Sequence, residues 1–191
     1  MTNRESVLKT TGQVINRPRF YELILWLVTR GKEKEFRKLT AELAGLKIGD
    51  SVLDVGCGTG TMALMAKNYI GKEGTIVGIE PSIEMINFAK HKAVREKKEI
   101  EFLPGIIENI NFPNNSFDVV FCIVVLHHMP DEAKRQGIKE IYRVLKQDGR
   151  LLIIDSDLDL IPSIEQAGFE KKKSGRMPII ESYDYELWQK T

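Results

Sequence analysis

Three glycines on alternate positions, Gly56, Gly58 and Gly60, follow the apolar residues Val52, Leu53 and Val55. Helical spacing then returns at Met62, Leu64, Met65 and Ala66. A strand, a glycine turn and a helix N-terminus make a site for nucleotide-like ligands: backbone N–H groups and the positive dipole end meet at its mouth. Glycine also lets a ligand approach where a Cβ would collide. The full dinucleotide fingerprint is not met, because Thr61 stands where the third glycine belongs, and no Gly-Lys-Ser/Thr follows to complete a phosphate-binding P-loop. What remains is Asp54 two residues before a G-x-G-x-G run that encloses Cys57 and Thr59.

Glu80 lies 20 residues beyond Gly60, at the end of a second β-branched run and just before Pro81 and Ser82. In doubly wound folds an acid at that place hydrogen-bonds the ribose hydroxyls of a nucleoside, since its two oxygens can accept from adjacent donors. Groups able to take a proton are His127, His128, Tyr21 and Asp155. Histidine ordinarily titrates near neutrality, which makes His127 the best-placed base, with Tyr21 the next group to hold in reserve. Adjacent side chains rarely converge on one ion, so no metal site is expected at the histidine pair.

These residues need a frame. Strands are expected over 52–55, 75–79, 100–103, 119–125 and 150–155, with helices from 61 onward, from Ser82 to about 97, from Asp131 to about 145 and over 162–167. That β-α alternation implies a parallel sheet with helices on both faces. Two further strands, over 170–173 and 179–185, have no helix between them and imply an antiparallel strand near one edge. The fold class is therefore α/β, a doubly wound, mostly parallel, seven-stranded Rossmann-like sheet preceded by N-terminal helices. Ahead of it, residues 1–17 read as a polar arm. A first amphipathic helix starts at Arg17-Pro18-Arg19 and carries Phe20, Ile24, Leu27 and Val28 on one face; a second carries Phe36, Leu39 and Leu43. Residues 1–45 are an expected lid over the site, and residues 46–191 the binding core of a single domain.

At 191 residues the chain is long enough for a substantial core, and 28 Lys plus Arg against 27 acidic residues give no global field for nucleic acid. The two cysteines, Cys57 and Cys122, form no disulfide framework; with a polar start and no apolar run long enough to span a bilayer, a cytoplasmic location is expected. Monomer and homodimer both stay open.

The pieces Asp54-Val55-Gly56-Cys57-Gly58-Thr59-Gly60, Glu80, Asn111-Phe112-Pro113-Asn114-Asn115-Ser116-Phe117-Asp118, Leu126-His127-His128 and Tyr142-Arg143-Val144-Leu145-Lys146 extend over nearly the whole chain. Together with Tyr21-Glu22-Leu23-Ile24 they resemble the class I S-adenosylmethionine (SAM)-dependent methyltransferases, and within them the ubiquinone/menaquinone-biosynthesis C-methyltransferase-like (methyltransferase type 11) group. The resemblance implies methyl transfer from SAM to a small-molecule acceptor by in-line displacement, leaving S-adenosylhomocysteine. It implies that residues 56–60 take the methionine moiety with Thr59 beside it and Asp54 anchoring the loop, and that Glu80 and the adjoining Pro81 lie at the ribose. It places Ile106 and Ile107 at the adenine and Ile123 near the methionyl tail. Relatives often carry Asp or Asn where Ile106 stands; isoleucine cannot accept from the adenine amine, so apolar packing and backbone groups around Ile107 must serve instead. Only residues 156–161 separate the fifth strand from the next helix, so any roof over the acceptor must come from residues 1–45 or from another subunit. A SAM-binding protein without turnover, and less favourably an NAD(P)-dependent oxidoreductase, are the competing readings.

Overall fold

The computed structural model describes residues 10–156, 158 and 161–191; residues 1–9 of the expected polar arm lie outside them. The elements run α1 (Pro18–Val28), α2 (Glu33–Leu43), β1 (Ser51–Val55), α3 (Thr61–Ile70), β2 (Thr75–Glu80), α4 (Ile83–Arg95), β3 (Glu101–Pro104), β4 (Phe117–Ile123), α5 (Asp131–Val144), β5 (Leu145–Asp155), α6 (Ile161–Gln166), β6 (Phe169–Arg176) and β7 (Asp184–Lys190). A single turn of 3-10 helix, Leu126–His128, follows β4. The seven strands form one sheet in the order β3-β2-β1-β4-β5-β7-β6. Strands β1 to β5 pair in parallel, whereas β7 pairs antiparallel with both β5 and β6.

Burial on both faces explains the apolar strands. Val52, Val119, Phe121, Leu152 and Ile154 point into one core with Phe36, Met62, Ala66, Ile86 and Phe102, from α2, α3, α4 and β3. Leu53, Val55, Val120, Cys122, Leu151 and Ile153 point into the other, with Ile138 and Ile141 of α5 and Trp188 of β7. Successive residues of a strand face opposite sides, so an unbroken apolar run fills both layers. At the edge, Lys190 is buried and donates to the carbonyls of Tyr142 and Leu145, each at 2.8 Å, closing the C-terminal end of α5.

Three expectations need correction. Strand β4 stops at Ile123 rather than at 125, because Val124 has a left-handed backbone with φ of 60°. Strand β5 starts at Leu145 rather than at 150: residues 147–149 form a bulge within it, with Asp148 at φ 60° and the register against β4 shifting between Phe117 and Val119. The last strand is Asp184–Lys190, not 179–185. Ile180 is buried, and Ile179 and Tyr183 pack on the core, from a turn in which Tyr183 N–H donates to the Ile180 carbonyl. Their apolar character therefore signals burial rather than a strand, while β7 is disguised by its buried Glu186 and Lys190. In α1 the shared face of Phe20, Ile24, Leu27 and Val28 is exposed and points away from the core, while Tyr21, Leu25 and Thr29 turn inward.

Candidate functional site

Because the first five strands are parallel, the carboxyl ends of β1, β2 and β4 meet at one rim, where loops can converge on a ligand. At β1 the chain turns through Gly56, Gly58 and Gly60, with φ of 66°, 52° and 74°. Gly56 faces Val125, and Gly58 lies under the Tyr21 ring, whose Cε1 would be 3.5 Å from an added Cβ. Gly60 instead backs the turn: a Cβ there would meet Phe102 at 2.7 Å and Ala89 at 2.8 Å. Cys57 is buried with its sulfur toward Gly78, and burial pushes its thiol well up, so it is a packing group rather than a nucleophile.

Glu80 ends β2 and is buried. Its Oε2 accepts from the Gly58 N–H at 3.2 Å and its Oε1 from the Ser82 N–H at 3.1 Å. The carboxylate thus joins the glycine turn to the start of α4, whose N-cap Ser82 accepts from the Met85 N–H. Burial raises the Glu80 pKa, opposed by those two N–H bonds. Behind it Asp54 is 2% exposed, and its Oδ2 has no hydrogen-bond partner. Burial pushes the Asp54 pKa up to about 7, against the pull of the Arg37 guanidinium.

These groups line or underlie an open cleft with about 710 Å³ of empty space, its solvent-filled mouth included. Of the sequence-derived residues, Gly56, Gly58, Glu80, Pro81, Ile106, Ile107 and Tyr21 line it. Asp54, Cys57, Thr59, Gly60 and Ile123 are buried and do not line it. His127 is off the cleft, whereas its neighbour His128 lines it. Val124 also lines it, and left-handed backbone at a β-branched residue marks local strain held by the surrounding structure.

The opposite wall is the arm. Thr10, Gly12, Gln13, Val14 and Ile15 run along the cleft; they belong to the segment expected as a lid, but no periodic signal singles these residues out. Glu108 Oε1 accepts from Thr10 Oγ1 at 2.8 Å, Thr11 Oγ1 at 3.1 Å and the Thr11 N–H at 3.2 Å. Gln13 N–H donates to the His128 carbonyl at 3.0 Å. Glu108 and His128 thus tie the arm down at two places.

His127 sits beside the cleft in a pairing no local motif reveals. Its Nδ1 is 2.8 Å from Oδ1 of Asp155, which is wholly buried at the end of β5. The other oxygen, Oδ2, accepts from the Val125 and Leu126 N–H groups at 3.0 and 2.8 Å, and Oδ1 also accepts from the Ser156 N–H at 2.8 Å. Asp155 therefore fixes both the 3-10 turn and the imidazole orientation. The Tyr183 ring lies 6.4 Å from the His127 ring, its phenol pKa raised by burial and by Asp155.

Comparisons with known proteins bear on the family and the fold. The chain is similar to a demethylmenaquinone methyltransferase of Listeria monocytogenes serotype 4a (strain HCC23), 35% identical over 133 residues that make up 69% of this chain and 55% of that relative. It is similar to a demethylmenaquinone methyltransferase of Lactococcus lactis subsp. lactis (strain IL1403), 36% identical over 146 residues, 76% of this chain and 57% of that one. The chain thus spans about half the length of the curated relatives it matches. In fold it is similar to the crystal structure of a SAM-dependent methyltransferase from Aquifex aeolicus, with a TM-score of 0.70 and 23% identity over 91% of this chain and 97% of that one. A sequence profile described as "Methyltransferase domain" matches residues 52–149, from β1 into the bulged start of β5. That is just over half of the 191 residues, and the chain belongs to this methyltransferase-domain family.

Proposed function

We propose that the chain is a SAM-dependent methyltransferase acting on a small, largely apolar acceptor of the quinone type. The observation that carries the reading is Glu80: a buried carboxylate bonded to the glycine turn, at the end of the strand where a nucleoside ribose is gripped, in a chain of the methyltransferase family. The names of the demethylmenaquinone methyltransferase relatives support the acceptor class.

The residues present fit SAM. Each Glu80 oxygen spends one lone pair on a backbone N–H and retains another for a ribose hydroxyl. Gly56 and Gly58 present backbone without side chains on the lining of the cleft. Pro81, Met85, Ile106 and Ile107 give an apolar slot for an aromatic base, which the isoleucines hold by packing. When bound, SAM supplies an electrophilic methyl group on a sulfonium sulfur.

The chain's own part is to position and to move a proton. Holding an acceptor in line with that methyl can supply several kcal/mol of barrier lowering without further chemistry. The arm and Tyr21 cover the cleft and exclude water, the role expected of residues 1–45 as a lid. His127 lies beside the cleft and not on its wall, so it serves as base for an acceptor that extends past the wall to its Nε2, while Asp155 holds Nδ1. Asp155 is a positioning residue in this scheme, and Tyr21 shapes the ligand's surroundings.

Titration calorimetry with S-adenosylhomocysteine, with NAD as the control ligand, tests the cofactor. Micromolar binding, on the order of −8 kcal/mol, that falls at least tenfold in Glu80→Ala supports the reading. Absence of binding, or binding of NAD instead, overturns it. Transfer of labelled methyl from SAM to apolar hydroquinones, and not to hydrophilic amines, then tests the acceptor class.

A further inference from the structure

Helix α1 carries its apolar residues on the wrong side for a packed domain. Phe20, Leu23, Ile24 and Leu27 follow one another at i, i+3, i+4 and i+7, and together with Trp26 and Val28 they are between 40% and 57% exposed. Single exposed hydrophobics are ordinary; six on one 11-residue helix form a continuous patch of the kind that marks an interaction surface.

Charge tells what covers it. Arg17 and Arg19 are exposed at the first turn of α1, and Arg30 and Lys32 just beyond its last turn. Glu22 is the only acid of the helix, and it is already bound to Lys92 at 2.6 Å. The patch is thus an apolar stripe with exposed cations at both ends. A second copy of the chain fits it poorly: a twofold pairing of α1 with itself, parallel or antiparallel, brings arginines and lysines against one another. A sheet of anionic lipid headgroups above an acyl layer matches both parts, since the stripe enters the layer while the basic ends meet phosphates. Trp26, half-exposed on the flank of the stripe, suits the boundary between the two.

We propose that α1 is a monotopic membrane-surface anchor, lying flat on anionic lipid with Phe20, Leu23, Ile24 and Leu27 inserted. The inner face of the same helix presents Tyr21 to the cleft, so an anchored chain opens its site beside the bilayer surface. The inference stands on the surface of α1 alone and does not depend on methyl transfer.

Vesicle flotation and tryptophan emission test it with the whole chain, using phosphatidylcholine vesicles with and without phosphatidylglycerol. Trp188 is fully buried, so a blue shift on vesicle addition reports Trp26. Partitioning is expected only weakly onto neutral vesicles and about tenfold or more better onto anionic ones. Leu23→Ser with Leu27→Ser should lower it by at least about tenfold, and Arg17→Gln with Arg19→Gln should weaken it and blunt its salt dependence. Unchanged circular dichroism and S-adenosylhomocysteine titrations show that the variants fold as the parent does. The proposal is overturned if the parent ignores anionic vesicles, if the leucine variant binds as well as the parent, or if vesicles recruit nothing while sedimentation shows a dimer that the leucine variant dissolves.

Discussion

Asp54 offers the sharpest quantitative test of the site. Its carboxyl is buried under the glycine turn with one oxygen unpartnered, and its pKa stands at about 7 against an ordinary 3.8. Burial is the main cause, and Arg37 opposes it. In the unfolded chain the group ionises near its ordinary value; in the folded chain it keeps its proton until about pH 7. Between those values the folded state binds more protons, so stability falls as pH rises through the window and levels off above it. At about 1.4 kcal/mol for each pH unit of separation, the whole effect is about 4 kcal/mol, and about 3 kcal/mol of it lies between pH 5 and pH 8.

Asp54→Asn replaces the carboxyl by a neutral group of the same shape that does not titrate. Urea unfolding of parent and variant across pH 5 to 8 gives the difference in stability at each pH. That difference should move in favour of the variant by about 3 kcal/mol from acid to alkaline pH, whatever constant offset the new amide introduces. Glu80, also raised by burial, remains in both proteins and largely cancels in the comparison. Parallel pH curves for parent and variant would mean that Asp54 ionises as it does in water, and the account of a desolvated carboxyl beneath the turn would be wrong.

Other expectations bear on the turn, the base and the arm. Gly60→Ala should cost about 2–4 kcal/mol, because the new methyl runs into Phe102 and Ala89 as well as straining φ. Gly49→Ala, with φ of 88° and nothing within 4 Å, should cost only about 1–2 kcal/mol; equal losses in urea midpoints would remove the steric part of the argument. His127→Ala and Asp155→Asn should each lower kcat by about 10–100-fold with little change in KM, and the double variant should be no worse than the poorer single one. Independent, multiplying losses would argue against a working pair. Glu108→Ala releases Thr10 and Thr11, so proteolysis at residues 10–15 should quicken, and S-adenosylhomocysteine should slow it in the parent. Identical cutting with and without that ligand speaks against the arm as a lid.

The parts of the site that were legible in the sequence are the local ones. The β1 run, the glycine turn and Glu80 announce themselves through residue type at fixed spacing, and the structure puts Gly56, Gly58 and Glu80 on one cleft wall. The His127–Asp155 contact joins residues 28 positions apart, across adjacent parallel strands, and no local pattern encodes that distance. The periodicity of α1 fixes which residues share a face but carries no sign for inward or outward, which is why the stripe was readable and its direction was not. Strand β7 hid for a different reason. Glu186 is buried because it accepts from the Trp188 indole at 3.0 Å and from Lys171 at 2.6 Å, so the strand looks polar although Trp188 anchors a core.

The sheet order also sets a timetable for the nascent chain. Strand β6 is made before β7, yet its only neighbour in the sheet is β7, which also covers the free side of β5. While residues 169–183 leave the ribosome, β6 has no strand to join, and the growing sheet ends at β5 with its backbone donors and acceptors bare. An open edge of that kind invites pairing with another chain. The arrival of seven residues, Asp184–Lys190, seals β5, recruits β6 and brings Lys190 to the end of α5 in a single event. A released chain that ends between residues 155 and 184 should therefore expose the β5 edge and be prone to aggregate.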